Sequence, residues 1–136
     1  VRVRKLLNVL KAHDCFYIHI KGPDEPGHDG DCNLKAKMFA TIDKHFFGEL
    51  LTKISLDESI LCVTADHATP CTLKTHSDDP VPLLISGGDI QGDGSPTFSE
   101  ESCKRGSLGV IEHGFELMPR LMTFIKKTRS QGLRFQ

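Results

Sequence analysis

LCVTADHATPCTLKTHSDDP, residues 61–80, decides how this chain reads. With Ile60 ahead of it, the run Leu61-Cys62-Val63 has the length and branching of a buried strand. The run breaks off at Asp66 and His67. A carboxylate and an imidazole add little to a packed core. They suit a ligand, because open α/β sheets bind ligands beyond the carboxyl ends of their strands. His76 follows in the same loop. A plainer account also fits: Asp66 caps the next turn and both histidines are solvated. This stretch alone does not separate the two.

Upstream, Leu34, Met38, Ile42, Phe46 and Leu50 recur every four residues, and Phe39 and Phe47 widen the stripe. That spacing predicts one apolar helical face, started by Asp31 as N-cap and ending near Leu51 or Lys53. Lys35, Lys37, Asp43, Lys44 and Glu49 lie off the stripe, as a solvated face would. Before the helix, residues 21–31 hold two prolines and three glycines, a composition that speaks against helix or strand. The same loop carries Asp24, Glu25, His28, Asp29 and Asp31. A bland surface turn looks like this. So does a metal loop, in which a bound ion offsets carboxylate repulsion and orders the chain. Asp24 and His28 are close enough in sequence to chelate one ion.

Residues 15–20, CFYIHI, predict another strand, apolar enough to be covered on both faces. Its His19 fits a hydrogen-bonded core or edge residue better than a ligand. The order strand, loop, helix, strand is then a βαβ unit, whose two strands run parallel with a right-handed crossover. On that reading the loops after both strands open on one edge of the sheet. Asp24, His28, Asp66, His67 and His76 meet at one rim. The expected fold is α/β, with a mainly parallel sheet and helices on both faces.

Downstream, 80–86 predicts an edge strand because of its prolines, and 87–107 a loop. Residues 108–111 fit a short turn or strand. Residues 115–128 predict an amphipathic helix with Phe115, Met118, Leu121, Met122 and Ile125 inward, and Lys126, Lys127 and Arg129 at its C-terminal end. At the other end, 1–13 predicts a short helix covering the sheet with Leu6, Leu7 and Leu10. Arg2, Arg4 and Lys5 oppose its dipole, so its start is expected upstream of Val1.

The 136 residues suffice for a single domain with a core. A net charge of -1 gives no reason to expect a nucleic-acid or membrane-surface partner. No apolar run is long enough to span a bilayer. The five cysteines are odd in number and form no C-x-x-C pair, so neither a disulfide framework nor a thiolate zinc site is indicated. Cys15 and Cys62 are expected to behave as small core residues. A reducing, cytoplasmic setting fits.

With Asp24 and His28 spaced D-x-x-x-H, the pair Asp66-His67 and a later His76, the chain resembles the alkaline phosphatase superfamily. More closely it resembles the archaeal-type, cofactor-independent (2,3-bisphosphoglycerate-independent) phosphoglycerate mutases. IHIKGPDEPGHDGD (18–31) and VTADHATPCTLKTHSDDPVPLLISG (63–87) carry the likeness; SCKRGSLG…ELMP (102–119) extends it. The resemblance implies two divalent ions and a phosphoserine intermediate. It implies Asp24, His28 and His76 on one ion, and Asp66 and His67 on the other, with an aspartate and the nucleophilic serine from near the family's N-terminus. Oxygen and imidazole donors suit Mn²⁺ or Zn²⁺, with Mg²⁺ at a more oxygen-rich site. Lys21, beside the ion loop, is a candidate phosphate contact.

No residue upstream of Asp24 supplies the family's first Asp-Gly motif or its serine. The chain therefore reads as the C-terminal, metal-binding part of a glycolytic mutase, an alkaline-phosphatase-like domain that is incomplete. By itself it is expected to be inactive, to bind at most one ion well, and to associate through an exposed sheet edge. Its partners are then phosphoglycerate and the missing N-terminal part of the same protein. The alternatives are another metal-dependent phosphatase, a relative labelled phosphonopyruvate decarboxylase, or a truncated domain without chemistry.

Overall fold

The computed structural model describes residues 3–130, apart from the side chains at 4, 5, 11 and 126–130. The described residues divide into two units, one within Val1–Ile54 and His67–Asp79, the other within Ser55–Asp66 and Pro80–Gln136.

In the first unit, helix α1 (Val3–Val9) runs on into a 3₁₀ turn, Leu10–Ala12. Its predicted start ahead of Val1 lies outside the described residues. Helix α2 is Asp24–Asp29 and helix α3 is Cys32–Ile42. A π-turn, Asp43–Phe47, joins α3 to the short α4, Gly48–Leu50. The Gly48 N–H bonds back five residues to the Asp43 carbonyl. Asp31 caps α3 as its sequence position predicts, its Oδ1 accepting the Leu34 N–H at 2.9 Å. The core of this unit is Val3, Phe46 and Leu50, with Leu6, Leu7, Ile20, Ile42, Phe47 and Ile54 packed around them. Thus α1 covers the π-turn and α4 rather than a sheet. Burying a Phe or Leu side chain stabilises by about 1.5–3 kcal/mol. The second half of the stripe supplies that term here. The first half does not: Leu34 and Phe39 are 41% and 55% exposed.

Helix α2 corrects the expectation of a helix-free loop at 21–31. Pro26 is the third residue of α2, where its missing N–H falls among donors that have no helical partner anyway. Gly30, at φ 78°, closes the helix. Its N–H bonds to Gly27 O at 3.2 Å and the Asp31 N–H bonds to Pro26 O at 2.9 Å, the paired closure that a left-handed glycine permits. Pro23 and Gly30 flank this short helix, while Pro26 and Gly27 lie within it.

The second unit holds β1 (Ile60–Val63) and β2 (Leu84–Gly87), paired antiparallel with Ile60 opposite Gly87 and Val63 opposite Leu84. This pair is the one sheet among the described residues. The parallel βαβ pairing expected for 15–20 and 60–64 is therefore absent among them. An apolar run identifies strand-like residues but carries no information on the partner or its direction. Residues 15–20 join no ladder; Tyr17 is 89% exposed, and Cys15 is exposed rather than a core residue. Cys62 is half-buried on β1, and burial pushes its thiol pKa up. Gly87 is required where β2 ends: at φ 115°, a Cβ there would stand 1.9 Å from the Ser59 carbonyl oxygen.

Beyond β2, Ser99 caps the short α5 (Glu100–Cys103). Residues 108–111 form no strand. A 3₁₀ turn, Gly114–Glu116, leads into α6, Leu117–Ser130. The helix is where its periodicity predicts, but Phe115, Met118 and Met122 are exposed rather than inward. Leu121 and Ile125 are half-buried. The side chains of Lys126, Lys127 and Arg129 lie outside the described residues. No described helix is long and apolar enough to cross a membrane.

Candidate metal centre

The loop 67–79 closes on itself through an antiparallel bridge between Ala68 and Ser77, the Ser77 N–H reaching the Ala68 carbonyl at 3.1 Å. His67 and His76, the residues just before each partner, are thereby diagonal neighbours on one face of the antiparallel pair. Their rings stack with centroids 3.8 Å apart. Pro70 turns the chain between them, its carbonyl accepting the Leu73 and Lys74 N–H groups at 3.0 Å each.

Helix α2 is fitted against this loop by the absence of a side chain. A Cβ on Gly27 would lie 2.6 Å from Thr69 O and 2.9 Å from its Cγ2. The Lys35 ammonium donates to the Thr69 carbonyl at 2.6 Å, and the Cys71 thiol faces the Pro26 carbonyl at 3.9 Å. Burial, then the neighbouring Cys32 thiol, raise the Cys71 pKa. Asp24 and His28, one helical turn apart on α2, thereby face His67 and His76.

Two overlapping triads result. His28 Nε2 is 3.2 Å from His76 Nε2, and Asp24 Oδ1 is 3.5 Å from the first and 3.8 Å from the second. Asp24, His67 and His76 also place one ligand atom each within 4.8 Å of one another. Asp24 and His76 belong to both triads. An ion with tetrahedral bonds of about 2.0–2.1 Å holds its ligand atoms about 3.4 Å apart. The triangle at Asp24, His28 and His76 has sides of that size, so these residues fit a divalent ion. Three imidazoles and a carboxylate, with no thiolate, are the donor set of Zn²⁺ or Mn²⁺.

Second contacts orient these donors. His28 Nδ1 is 3.3 Å from the Lys74 carbonyl oxygen, which can only accept. Nδ1–H therefore donates there, leaving the Nε2 lone pair toward the cluster. Lys74 itself stands at φ 54°, an uncommon conformation for a residue with a side chain. Thr69 is 5% exposed. Its hydroxyl donates to Asp24 Oδ1 at 2.8 Å and meets His67 Nδ1 at 3.1 Å. That hydroxyl is the main reason the Asp24 carboxyl is held below its ordinary pKa; positive charge on His28, His67 and His76, when those rings are protonated, acts the same way, against partial desolvation. Asp24 is thus kept ionised and ready to accept a cation.

Asp66 is exposed, just past β1, and belongs to the second unit, while His67 begins a segment of the first. Lys21 is exposed, just before the turn into α2. Sequence reasoning missed Thr69, Lys35 and the Lys74 carbonyl. Thr69 left one weak signal, a hydroxyl two residues after His67 in a loop already rich in ligand types. A backbone carbonyl leaves none.

The model of the Metalloenzyme superfamily matches residues 2–118. The chain is 46% identical over 123 residues to a 2,3-bisphosphoglycerate-independent phosphoglycerate mutase of Aeropyrum pernix, covering 89% of this chain and 29% of that protein. A protein of the same name from Thermococcus kodakarensis is 37% identical over 131 residues, covering 96% of this chain and 31% of its own. A solved structure from Pyrococcus horikoshii superposes with a TM-score of 0.85 at 34% identity, over 99% of this chain and 39% of that one. The chain spans about a third or less of the curated relatives it matches.

Proposed function

The chain belongs to the Metalloenzyme superfamily, and from that premise we propose that it is the ion-holding part of a 2,3-bisphosphoglycerate-independent phosphoglycerate mutase. The reaction moves a phosphoryl group between the 3- and 2-positions of glycerate through a serine outside this chain. One observation carries the reading: Asp24, His28, His67 and His76, all in segments whose sequence resembles those mutases, form two overlapping triads of ligand atoms, Asp24–His28–His76 and Asp24–His67–His76. The wider fold in this reading is alkaline-phosphatase-like, with 15–20 as a strand whose partner lies in the rest of the protein.

In this reading Asp24, His28 and His76 hold one divalent ion. The overlap of the two triads supports a second ion on the His67 side, and Asp66 is added as its ligand on sequence resemblance alone. Zn²⁺ and Mn²⁺ suit the donors best. Bound ions would supply charge for the transferring phosphoryl oxygens and activate the serine hydroxyl. The chain's own contribution is positional. Asp24 brings the negative charge that an ion needs, and the Lys74 carbonyl aims His28. Lys21 is proposed to meet the substrate phosphate as a point charge. An odd count of cysteines without a disulfide pattern supports the cytoplasm as its compartment.

The test is a chimera in which these 136 residues replace the matching segment of the Aeropyrum pernix mutase. Conversion of 3- to 2-phosphoglycerate that is lost on His76→Ala supports the reading. A folded, ion-loaded chimera without turnover overturns it. The isolated chain should show no turnover with Mn²⁺, Zn²⁺ or Mg²⁺, because it holds no activated nucleophile beside the ions. Turnover by the chain alone, abolished by Asp66→Ala, would place the nucleophile within it.

A further inference from the structure

Resting on the metal-centre reading above, we propose that Thr69 is a positioning residue that sets the tautomer of His67, keeping its proton on Nδ1 so that Nε2 offers a lone pair to an ion.

A threonine hydroxyl has one proton and two lone pairs. It stands here between two groups that could each accept that proton, Asp24 Oδ1 at 2.8 Å and His67 Nδ1 at 3.1 Å. If the proton pointed at His67, an ionised carboxylate oxygen would face a hydroxyl lone pair at 2.8 Å. That contact is repulsive. With the proton on Asp24, the hydroxyl turns a lone pair to Nδ1, and an attractive contact requires Nδ1–H. An ionised carboxylate is also the stronger acceptor, so charge assistance selects the same arrangement. The order is therefore His67 Nδ1–H to Thr69 Oγ1, then Thr69 O–H to Asp24 Oδ1.

The hydroxyl cannot easily rotate out of this chain. Thr69 is buried, its carbonyl is held by the Lys35 ammonium at 2.6 Å, and its side chain lies against the Cα of Gly27. One residue thereby couples the charge on Asp24 to the donor atom of His67. Outer contacts of this kind commonly change metal affinity about 10–100-fold when removed.

Two measurements test it on the full 136-residue chain. The first needs no metal: long-range ¹H–¹⁵N NMR of the imidazoles about two pH units above their ordinary pKa of ~6.5. His67 should be in the Nδ1–H form in the wild type and in Thr69→Ser. In Thr69→Val it should shift toward the Nε2–H form. A wild-type His67 carrying its proton on Nε2, or a tautomer unmoved by Thr69→Val, overturns the proposal. Should Thr69→Val fail to fold, the wild-type spectrum decides alone. The second is Zn²⁺ titration by calorimetry, where Thr69→Val should weaken binding about 10–100-fold and Thr69→Ser should stay within about threefold. Equal affinity in wild type and Thr69→Val counts against the proposal. A wild-type chain that shows the Nδ1–H tautomer but binds no Zn²⁺ overturns the metal reading and leaves the tautomer assignment standing.

Discussion

Asp24 in the first unit and Asp93 in the second both have pKa values below the ordinary carboxylate range, each through donated hydrogen bonds but with different partners. Asp93 Oδ2 accepts the Ser107 N–H at 2.8 Å and Oδ1 accepts the Ser95 N–H at 3.0 Å, which hold its pKa at about 2. Its partners are the backbone N–H groups and the side chains of Ser95 and Ser107, all within the loop that the carboxylate itself ties together. Asp24 is lowered by one hydroxyl and three imidazoles. Imidazoles carry lone pairs as well as protons, and a cation could replace those protons. The same direction of shift thus marks a closed structural turn in one place and an open donor cluster in the other. The nature of the partners tells them apart, and the shift does not.

Exchanging the carboxylates should break the comparison most sharply. Asp24→Ala should weaken Zn²⁺ binding more than about 100-fold, beyond the range of an outer contact, while Asp93→Asn leaves it unchanged. Calorimetric titration of both variants checks this, and equal losses would dissolve the distinction. Next in size is Gly27→Ala. The new methyl must displace Thr69, an overpacking cost of about 1–3 kcal/mol. Urea unfolding should show it, with Zn²⁺ affinity falling alongside.

A smaller effect separates the two regions by pH. A carboxylate with a folded pKa depressed from 3.8 to about 2 contributes stability that is full above the unfolded value and lost as pH falls through the folded one. Asp93→Asn should therefore flatten the acid dependence of stability between roughly pH 4 and pH 2. Circular dichroism during acid titration reads it; an unchanged slope would show that the loop does not depend on that charge. Smallest of all is Arg105→Ala. Arg105 and Glu101 pair one turn apart with side chains 64% and 76% exposed, and such pairs contribute under about 0.5 kcal/mol. A larger loss in urea unfolding would show that Arg105 belongs to the Asp93 loop.

The helix 32–50 and the strand Ile60–Val63 were readable because each is set by local periodicity. What covers an apolar face is set by its partner, which periodicity does not name. Leu34, Phe39, Phe115 and Met118 show the gap: all lie on predicted inward stripes and all are exposed. The parallel pairing of 15–20 with 60–64 was an inference about partners of the same sort. The ligand types Asp24, His28, His67 and His76 were legible as chemistry. The route by which they meet was not. They converge within the first unit, through Gly27 fitting against Thr69 and the Ala68–Ser77 bridge.

The π-turn at Asp43–Phe47 has a consequence for the history of this chain. A π-turn spans one residue more than an α-turn, so it behaves as a single-residue insertion absorbed inside a helix. Each residue advances a helix by about 100°. Deleting one from this turn would keep Phe46 and Leu50 in the core only by rotating α3 and the cap at Asp31 through that angle. The fit of Gly27 against Thr69 depends on α2, which is joined to α3 by a single left-handed glycine and Asp31. Length changes elsewhere in the surface loops can be absorbed locally, whereas the register of this one turn sets how the donor helix is presented. A lineage that lost the extra residue would have to rebuild the donor cluster on a new face.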